Sequence, residues 1–273
     1  MNIVGDRYVS VIIPTFNRAD CILQSIESVL NQTYCELEVI VVDDGSSDNT
    51  EAIVNSIEDE RVRYIALNEN SGPARARNEG VKAASYDWIA FHDSDDCWLP
   101  EKLEKQMRYL EEHEEYSMVY CGYKTVYNNE VHGLIPSKTD GLPLEGDMFV
   151  GLLVKNKIGA PTMVINKEKF IEVGGFDDSF KCIEDWEFVI RYAKNNLIGF
   201  VDDYLLQVNL RSDGVSRRVG EYFSARCRIL RQYAEDYVEN NILDDTISEL
   251  VAKASKVGVL ELFEKMFDIY FRQ

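Results

Sequence analysis

The chain has 273 residues, 45% of them hydrophobic and 11% aromatic, and carries 29 Lys plus Arg against 48 Asp plus Glu, a net charge of −19. That is enough apolar material for one large core, or for one domain with an appendage. So acidic a surface repels nucleic acid and anionic lipid at long range, and nucleic acid is excluded as an expected partner.

Residues 8–13 (YVSVII) read as a buried strand ended by Pro14. Asn17 is placed to cap a helix to about residue 31, with Ile22, Ile26, Val29 and Leu30 on one face. Residues 37–42 (LEVIVV) form a second strand, followed by Asp43-Asp44-Gly45-Ser46 and a helix over about 48–57. A third strand spans 62–67, a loop 68–72, and Pro73 opens a helix to about residue 84. Residues 88–91 are a fourth apolar strand, and it stops at three carboxylates within four residues, Asp93, Asp95 and Asp96. Residues 8–96 thus read βαβαβαβ. Strands this apolar imply a parallel sheet covered on both faces, and the loops after its strands share one rim.

Beyond this the pattern is less regular. Helices are expected over 101–113, 167–173 and 182–195, and strands over 118–127, 159–165, 197–201 and 205–210. Residues 132–146 carry Gly, Pro, Ser and Asp and read as a mobile loop, a candidate lid. From residue 219 to 273 the chain reads as helical, broken near Asn240.

The six cysteines (Cys21, Cys35, Cys97, Cys121, Cys182 and Cys227) form no CxxC pair, so neither a disulfide framework nor a zinc site is expected, and a reduced, cytoplasmic protein is the simpler inference. Residues 1–8 have no apolar signal-peptide core, and no apolar run reaches the ~18 residues of a membrane span. His92, His113 and His132 share no ligand spacing.

Acids at the end of a buried strand repel one another and desolvate badly, which a hard cation such as Mg²⁺ or Mn²⁺ relieves. The alternative is a solvated turn in which Asp96 caps the next helix. In the Asp43-Asp44 turn a carboxylate suits the imide N–H of a uracil, or merely tightens a loop. Arg77, beside small residues, could meet an acid of the site or a diphosphate, whereas Arg75 reads as solvated. Glu184 and Asp185 open a helix, where acids are favoured by the dipole, and either fits a general base. Trp186 could wall off the site or pack in the core. Residues 211–232 hold six Arg (211, 217, 218, 226, 228 and 231) against Asp213 and Glu221, which sets the segment apart from the acidic remainder.

The ordered blocks IIPTFNR (12–18), VVDDGSSDNT (41–50), NENSGPARARNEG (68–80), FHDSDD (91–96) and GGFDDSF…EDWEF (174–188) resemble family-2 inverting glycosyltransferases of the GT-A fold, over roughly residues 8–217. The resemblance implies an α/β, Rossmann-like, mostly parallel sheet with helices on both faces. It divides the chain into a catalytic domain (1–218, with nucleotide-binding half 1–100 and acceptor-binding half 101–218) and a helical extension (219–273). It implies nucleoside contacts from Pro14, Thr15 and Asp44, further donor contacts from Arg77, Ser94 and Arg211, a Mn²⁺ or Mg²⁺ ion on Asp93 and Asp95, and Asp185 as catalytic base. Many members carry His where this chain has Arg211, and an Arg cannot ligate metal. The implied activity is metal-dependent transfer of a sugar from a nucleotide-sugar, UDP-sugar first, to a hydroxyl of a glycan or lipid-linked acceptor in cell-surface polysaccharide synthesis.

Three rival readings stand beside this one. A nucleotidyltransferase would carry a Gly-rich phosphate loop after the first strand, where this chain has Pro14-Thr15-Phe16-Asn17. A glycoside hydrolase would use Asp95 and Asp185 as a carboxylate pair. A non-catalytic binding subunit of the same fold would be favoured by loss of the DxD or ED acids, and both are present. Two further expectations concern partners. One is a homodimer. The other is a peripheral contact with the inner face of the membrane, in which an apolar C-terminal helix (Val259, Phe263, Met266, Phe267 and Tyr270 on one stripe) joins the Arg-rich segment; the bland alternative packs both against the body.

Overall fold

A computed structural model describes residues 7–128, 130–210 and 219–271, with the backbone only for Tyr270 and Phe271. Arg211, Arg217 and Arg218 therefore lie outside the described residues.

The first half alternates strand and helix as the sequence implies: β1 (Val9–Thr15), α1 (Ile22–Leu30), β2 (Leu37–Asp43), α2 (Thr50–Asn55), β3 (Val62–Ala66), α3 (Pro73–Ala83) and β4 (Trp88–Phe91). The second half adds β5 (Cys97–Trp98), α4 (Lys102–Glu112), β6 (Met118–Tyr127), β7 (Glu130–Ile135), α5 (Phe149–Val154), a 3₁₀ turn at Ala160–Thr162, β8 (Met163–Asn166), α6 (Lys167–Glu172), α7 (Glu184–Ala193) and β9 (Gly199–Asn209). Four helices finish the chain: α8 (Val219–Gln232), α9 (Ala234–Glu239), α10 (Leu243–Lys256) and α11 (Leu260–Phe271).

The strands make one sheet in the order β3-β2-β1-β4-β8-β6-β9-β5, with β7 on β6. β3, β2, β1 and β4 run parallel, so the loops after them open on one rim. Past β4 the sheet is mixed, because β8 runs antiparallel to both β4 and β6. The two expected strands at 197–210 are the single strand β9, whose pairing with β6 shifts register around Gly122.

The pleat divides the core. Val9, Val11, Ile13, Val39 and Val41 face α1 and α4, while Ile12, Ile40 and Val42 face α3 on the other side. Gly80 lets α3 lie against β1, since a Cβ there would sit 2.3 Å from Ile12 Cγ2.

One sequence expectation needs correction. Residues 132–146 are not a free loop: up to Ile135 they belong to β7, paired with β6. The remainder is strapped down, with Asp140 bound by Lys157 at 2.7 Å and Lys155 at 3.2 Å, Lys138 paired with Asp202, and Gly146 bridged to Ile198.

The helices after residue 218 pack against the body, the bland alternative for them. Phe223, Ile229, Leu230, Tyr237, Leu250 and Phe263 join the same buried cluster as Phe91, Tyr120 and Phe188. Arg226 is buried, and Arg228 is held by Asp177 and Ser179. Arg226 faces the body, and Arg228, its side chain about a third exposed, is tied to it. Among the described residues no helix is long and apolar enough to cross one.

Candidate active site

The rim loops form three connected corners. The first lies after β1, β2 and β3. Asp44 N–H donates to Thr15 O (2.8 Å), and the Asp44 carboxylate accepts from the backbone N–H of Ser71 (2.9 Å) and Gly72 (2.7 Å). Asp43 accepts from Ser46 N–H and from the Tyr64 hydroxyl, both at 2.7 Å. Both acids are buried, and burial raises the Asp44 pKa above its usual range although the two amides oppose it. Asp44 thus braces the loop that leads into α3. Beside that loop a cavity of about 270 Å³ is lined by Leu67, Asn68, Glu69, Ser71, Arg75 and Glu79. Pro14 is buried in β1, the Thr15 hydroxyl is buried without a partner, and Phe16 stands 41% exposed at the end of the strand. Arg75 is exposed, as expected, but it lines the cavity.

The second corner is the acid turn after β4, where the three carboxylates have different environments. Asp93 and Asp95 remain partly open to solvent. Asp93 Oδ1 accepts from Arg77 Nη2 at 2.7 Å, and Asp95 Oδ2 lies 3.7 Å from Arg18 Nε. Asp96 is buried and does not cap α4; its Oδ1 accepts from Asn209 N–H at 3.0 Å. Burial, then the neighbouring Asp93 and Asp95 charges, hold the Asp96 carboxyl well above the usual carboxylate range. Asn209 also donates its side-chain amide to Asp95 O at 2.7 Å, so the end of β9 fixes the turn from both sides. Ser94 is buried within the turn. Behind it His92 is fully buried against Trp98, and burial pushes its pKa down to about 3, so it is neutral.

The third corner is the start of α7. Asp185 accepts from Ala160 N–H (3.1 Å) and Trp186 N–H (2.7 Å). Burial and the adjacent Glu184 charge push its pKa up to about 7, against the pull of Arg77. Arg77 links the last two corners: its Nη1 donates to Glu184 Oε1 at 2.7 Å while Nη2 holds Asp93. One buried guanidinium therefore ties the acid turn to the residue beside Asp185. Of the two partners the sequence offers Arg77, an acid or a diphosphate, the structure shows two carboxylates, Asp93 and Glu184.

Asp93 and Asp95 fit a small hard cation. Their oxygens are the right donors, both side chains reach solvent, and among the described residues no third His, Cys or acid completes a cage. Such a pair suits Mg²⁺ or Mn²⁺ whose other positions come from phosphate and water.

Sequence reasoning missed Asn209 entirely, and no local signal marks it. Glu184 was visible as a helix-start acid and a possible base but not as the partner of Arg77, and Arg18 only as part of the first block. Arg211 lies outside the described residues.

Comparison with known proteins bears on family and fold. The model of Glycosyl transferase family 2 matches residues 10–172. An uncharacterized glycosyltransferase of Rickettsia bellii is 35% identical over 215 residues, 78% of this chain but 30% of its own length. The Escherichia coli protein WfgD, named UDP-Glc:alpha-D-GlcNAc-diphosphoundecaprenol beta-1,3-glucosyltransferase, is 34% identical over 73% of this chain and 75% of its own. Among solved structures, S. aureus TarS 1–349 in complex with UDP-GlcNAc superposes with a TM-score of 0.72 at 22% identity, over 90% of this chain and 73% of that one. The Pyrobaculum calidifontis mannosyltransferase PcManGT, in complex with GDP-Man and Mn²⁺, gives 0.63 at 18% identity, over 94% and 73%. These two likenesses establish the GT-A fold. The chain spans 30% of the Rickettsia bellii relative's length and 42% of a Rickettsia felis relative's.

Proposed function

The chain belongs to glycosyl transferase family 2, and from that membership we propose a metal-dependent inverting transferase that moves a sugar from a UDP-sugar to a hydroxyl of a glycan or lipid-linked acceptor in cell-surface polysaccharide synthesis. The observation that carries the proposal is the Arg77 bridge, which ties the cation-suited acid turn after β4 to Glu184, the neighbour of Asp185 on α7. The names of WfgD and TarS support a UDP-linked donor, and that of WfgD a lipid-diphosphate acceptor.

In this reading the nucleoside sits at the Asp44 corner, against Pro14, Thr15 and the cavity beside Ser71. Asp93 and Asp95 would hold Mn²⁺ or Mg²⁺, which when bound neutralises charge building on the diphosphate leaving group. Arg77 keeps Asp93 in place by a charge-assisted hydrogen bond. Ser94 lines the donor site. Asp185 accepts the proton of the acceptor hydroxyl as that oxygen attacks the anomeric carbon. The bond from that carbon to the diphosphate breaks, its electron pair leaves with UDP, and the single displacement inverts the configuration. A carboxylate pKa near 7 suits a base that must take a proton at neutral pH. A membrane contact through Arg226 and Arg228 is no part of the proposal, because both are occupied within the fold.

The test is the affinity of the full chain for UDP, GDP and dTDP, with and without Mn²⁺, by calorimetry. UDP should bind tightest, Mn²⁺ should strengthen it, and Asp95→Ala should abolish the Mn²⁺ effect. An unchanged Mn²⁺ dependence in Asp95→Ala would refute the metal assignment.

A further inference from the structure

Arg226 on α8 is fully buried, yet among the described residues it has no acidic partner. Its Cζ lies 3.9 Å from the centroid of the Trp186 ring, Nη2 reaches Leu153 O at 3.4 Å, and Nε and Nη1 are buried without hydrogen-bond partners. Burying a cation with no acid beside it among the described residues is costly, and a Met or Leu would fill the space without that cost. Bulk packing therefore does not account for a guanidinium here.

What stands next to it does. Trp186 directly follows Asp185 and gives it one of its two hydrogen bonds. The residue opening α7, Ile183, has φ 53° and ψ 26°, a left-handed conformation that a β-branched side chain adopts only under strain. Such a conformation persists where the surroundings hold it, and α8 holds it on both sides. Before Ile183, Arg228 binds Asp177 (2.7 Å) and Ser179 (2.6 Å) and stacks on Phe180 at 4.1 Å. After it, Arg226 covers Trp186, whose indole N–H donates to Leu152 O at 2.6 Å. One turn further, Gln232 donates to Glu187 at 3.2 Å.

We infer that Arg226 is a positioning residue for the transfer reaction: stacked on Trp186, it fixes the strained start of α7 and thereby the Asp185 carboxylate. The helix after residue 218 is then part of the catalytic unit, although its residues lie beyond the blocks that carry the family resemblance. The inference rests on Asp185 being the base.

The experiment compares Arg226→Met, Arg226→Lys and Asp185→Asn in the full chain with Mn²⁺. UDP release is measured from UDP-glucose and UDP-N-acetylglucosamine, into water and into a short-chain N-acetylglucosamine-diphosphate lipid. Arg226→Met should lower kcat about tenfold or more, as a slight misplacement of a reacting group does, with donor KM within about twofold and hydrogen exchange faster at amides 184–187 but not in α6. Arg226→Lys, which keeps a cation over the indole, should recover part of kcat and of that protection, and it serves if the Met variant fails to fold. Unchanged kcat and exchange in both Arg226 variants, or a kcat loss that follows donor KM and melting temperature, overturns the inference while leaving the base reading intact. Wild-type turnover in Asp185→Asn overturns both.

Discussion

Replacing Arg77 with Met removes the link between the acid turn and α7, and the structure sets the size of the loss. Arg77 and Glu184 are both buried and joined at 2.7 Å. Deleting one partner of a buried pair leaves the other charge uncompensated, at a cost of about 3–5 kcal/mol. The arm to Asp93 counts for much less, roughly 0–1 kcal/mol, because Asp93 is about a third exposed and screened. The Phe176 ring, 5.7 Å from Cζ, adds under about 1 kcal/mol. Arg77→Met should therefore cost about 4 kcal/mol, a fall of roughly 8–16 °C in melting temperature for a chain of this size. Glu184→Leu added to it should restore most of the loss, since no buried carboxylate is then left without a partner. Urea unfolding followed by circular dichroism gives both numbers. A single variant within about 1 kcal/mol of wild type, or a double variant no more stable than the single one, would refute the reasoning.

Asp185→Asn should keep donor affinity and lose about 10²–10⁴ in turnover, measured as UDP release at saturating donor. Because the base must be deprotonated to act and its pKa is pushed up to about 7, wild-type turnover should rise from pH 6 to pH 8 and then level off; a profile already flat from pH 5 counts against the assignment. Lys102 is buried over the Trp98 ring, bonded to Gln106, and burial pushes its pKa down to about 8. Its folded pKa lies below its unfolded one, so its charged form opposes folding fully below about pH 8, and the penalty fades as pH rises towards ~10.4. Lys102→Met should accordingly be more stable than wild type in urea at pH 7 by a margin that closes by about pH 10, and a margin independent of pH would show that Lys102 packs without an electrostatic cost.

The first half of the fold was legible because its signals are short in range. Apolar runs at 8–13, 37–42, 62–67 and 88–91, stopped by Pro14 or by polar residues, define strands, and the parallel rule then puts Asp44, Asp93 and Asp95 on one rim. Asp185 was readable by resemblance and as an acid at a helix start, where the dipole favours it.

What tertiary structure alone decided are the partnerships of residues far apart in the chain. Arg77 meets Glu184 across 107 positions, Asp96 is held by Asn209 across 113, and Arg226 covers Trp186 from a helix that sequence reading set aside as an extension. An acid that will be buried and an acid that will stay wet look the same in a run such as Asp93-Ser94-Asp95-Asp96. Which carboxylate carries its charge depends on desolvation and on charges brought close by folding. Periodicity along the chain records which face of an element is apolar, and it holds no record of what will be packed against that face.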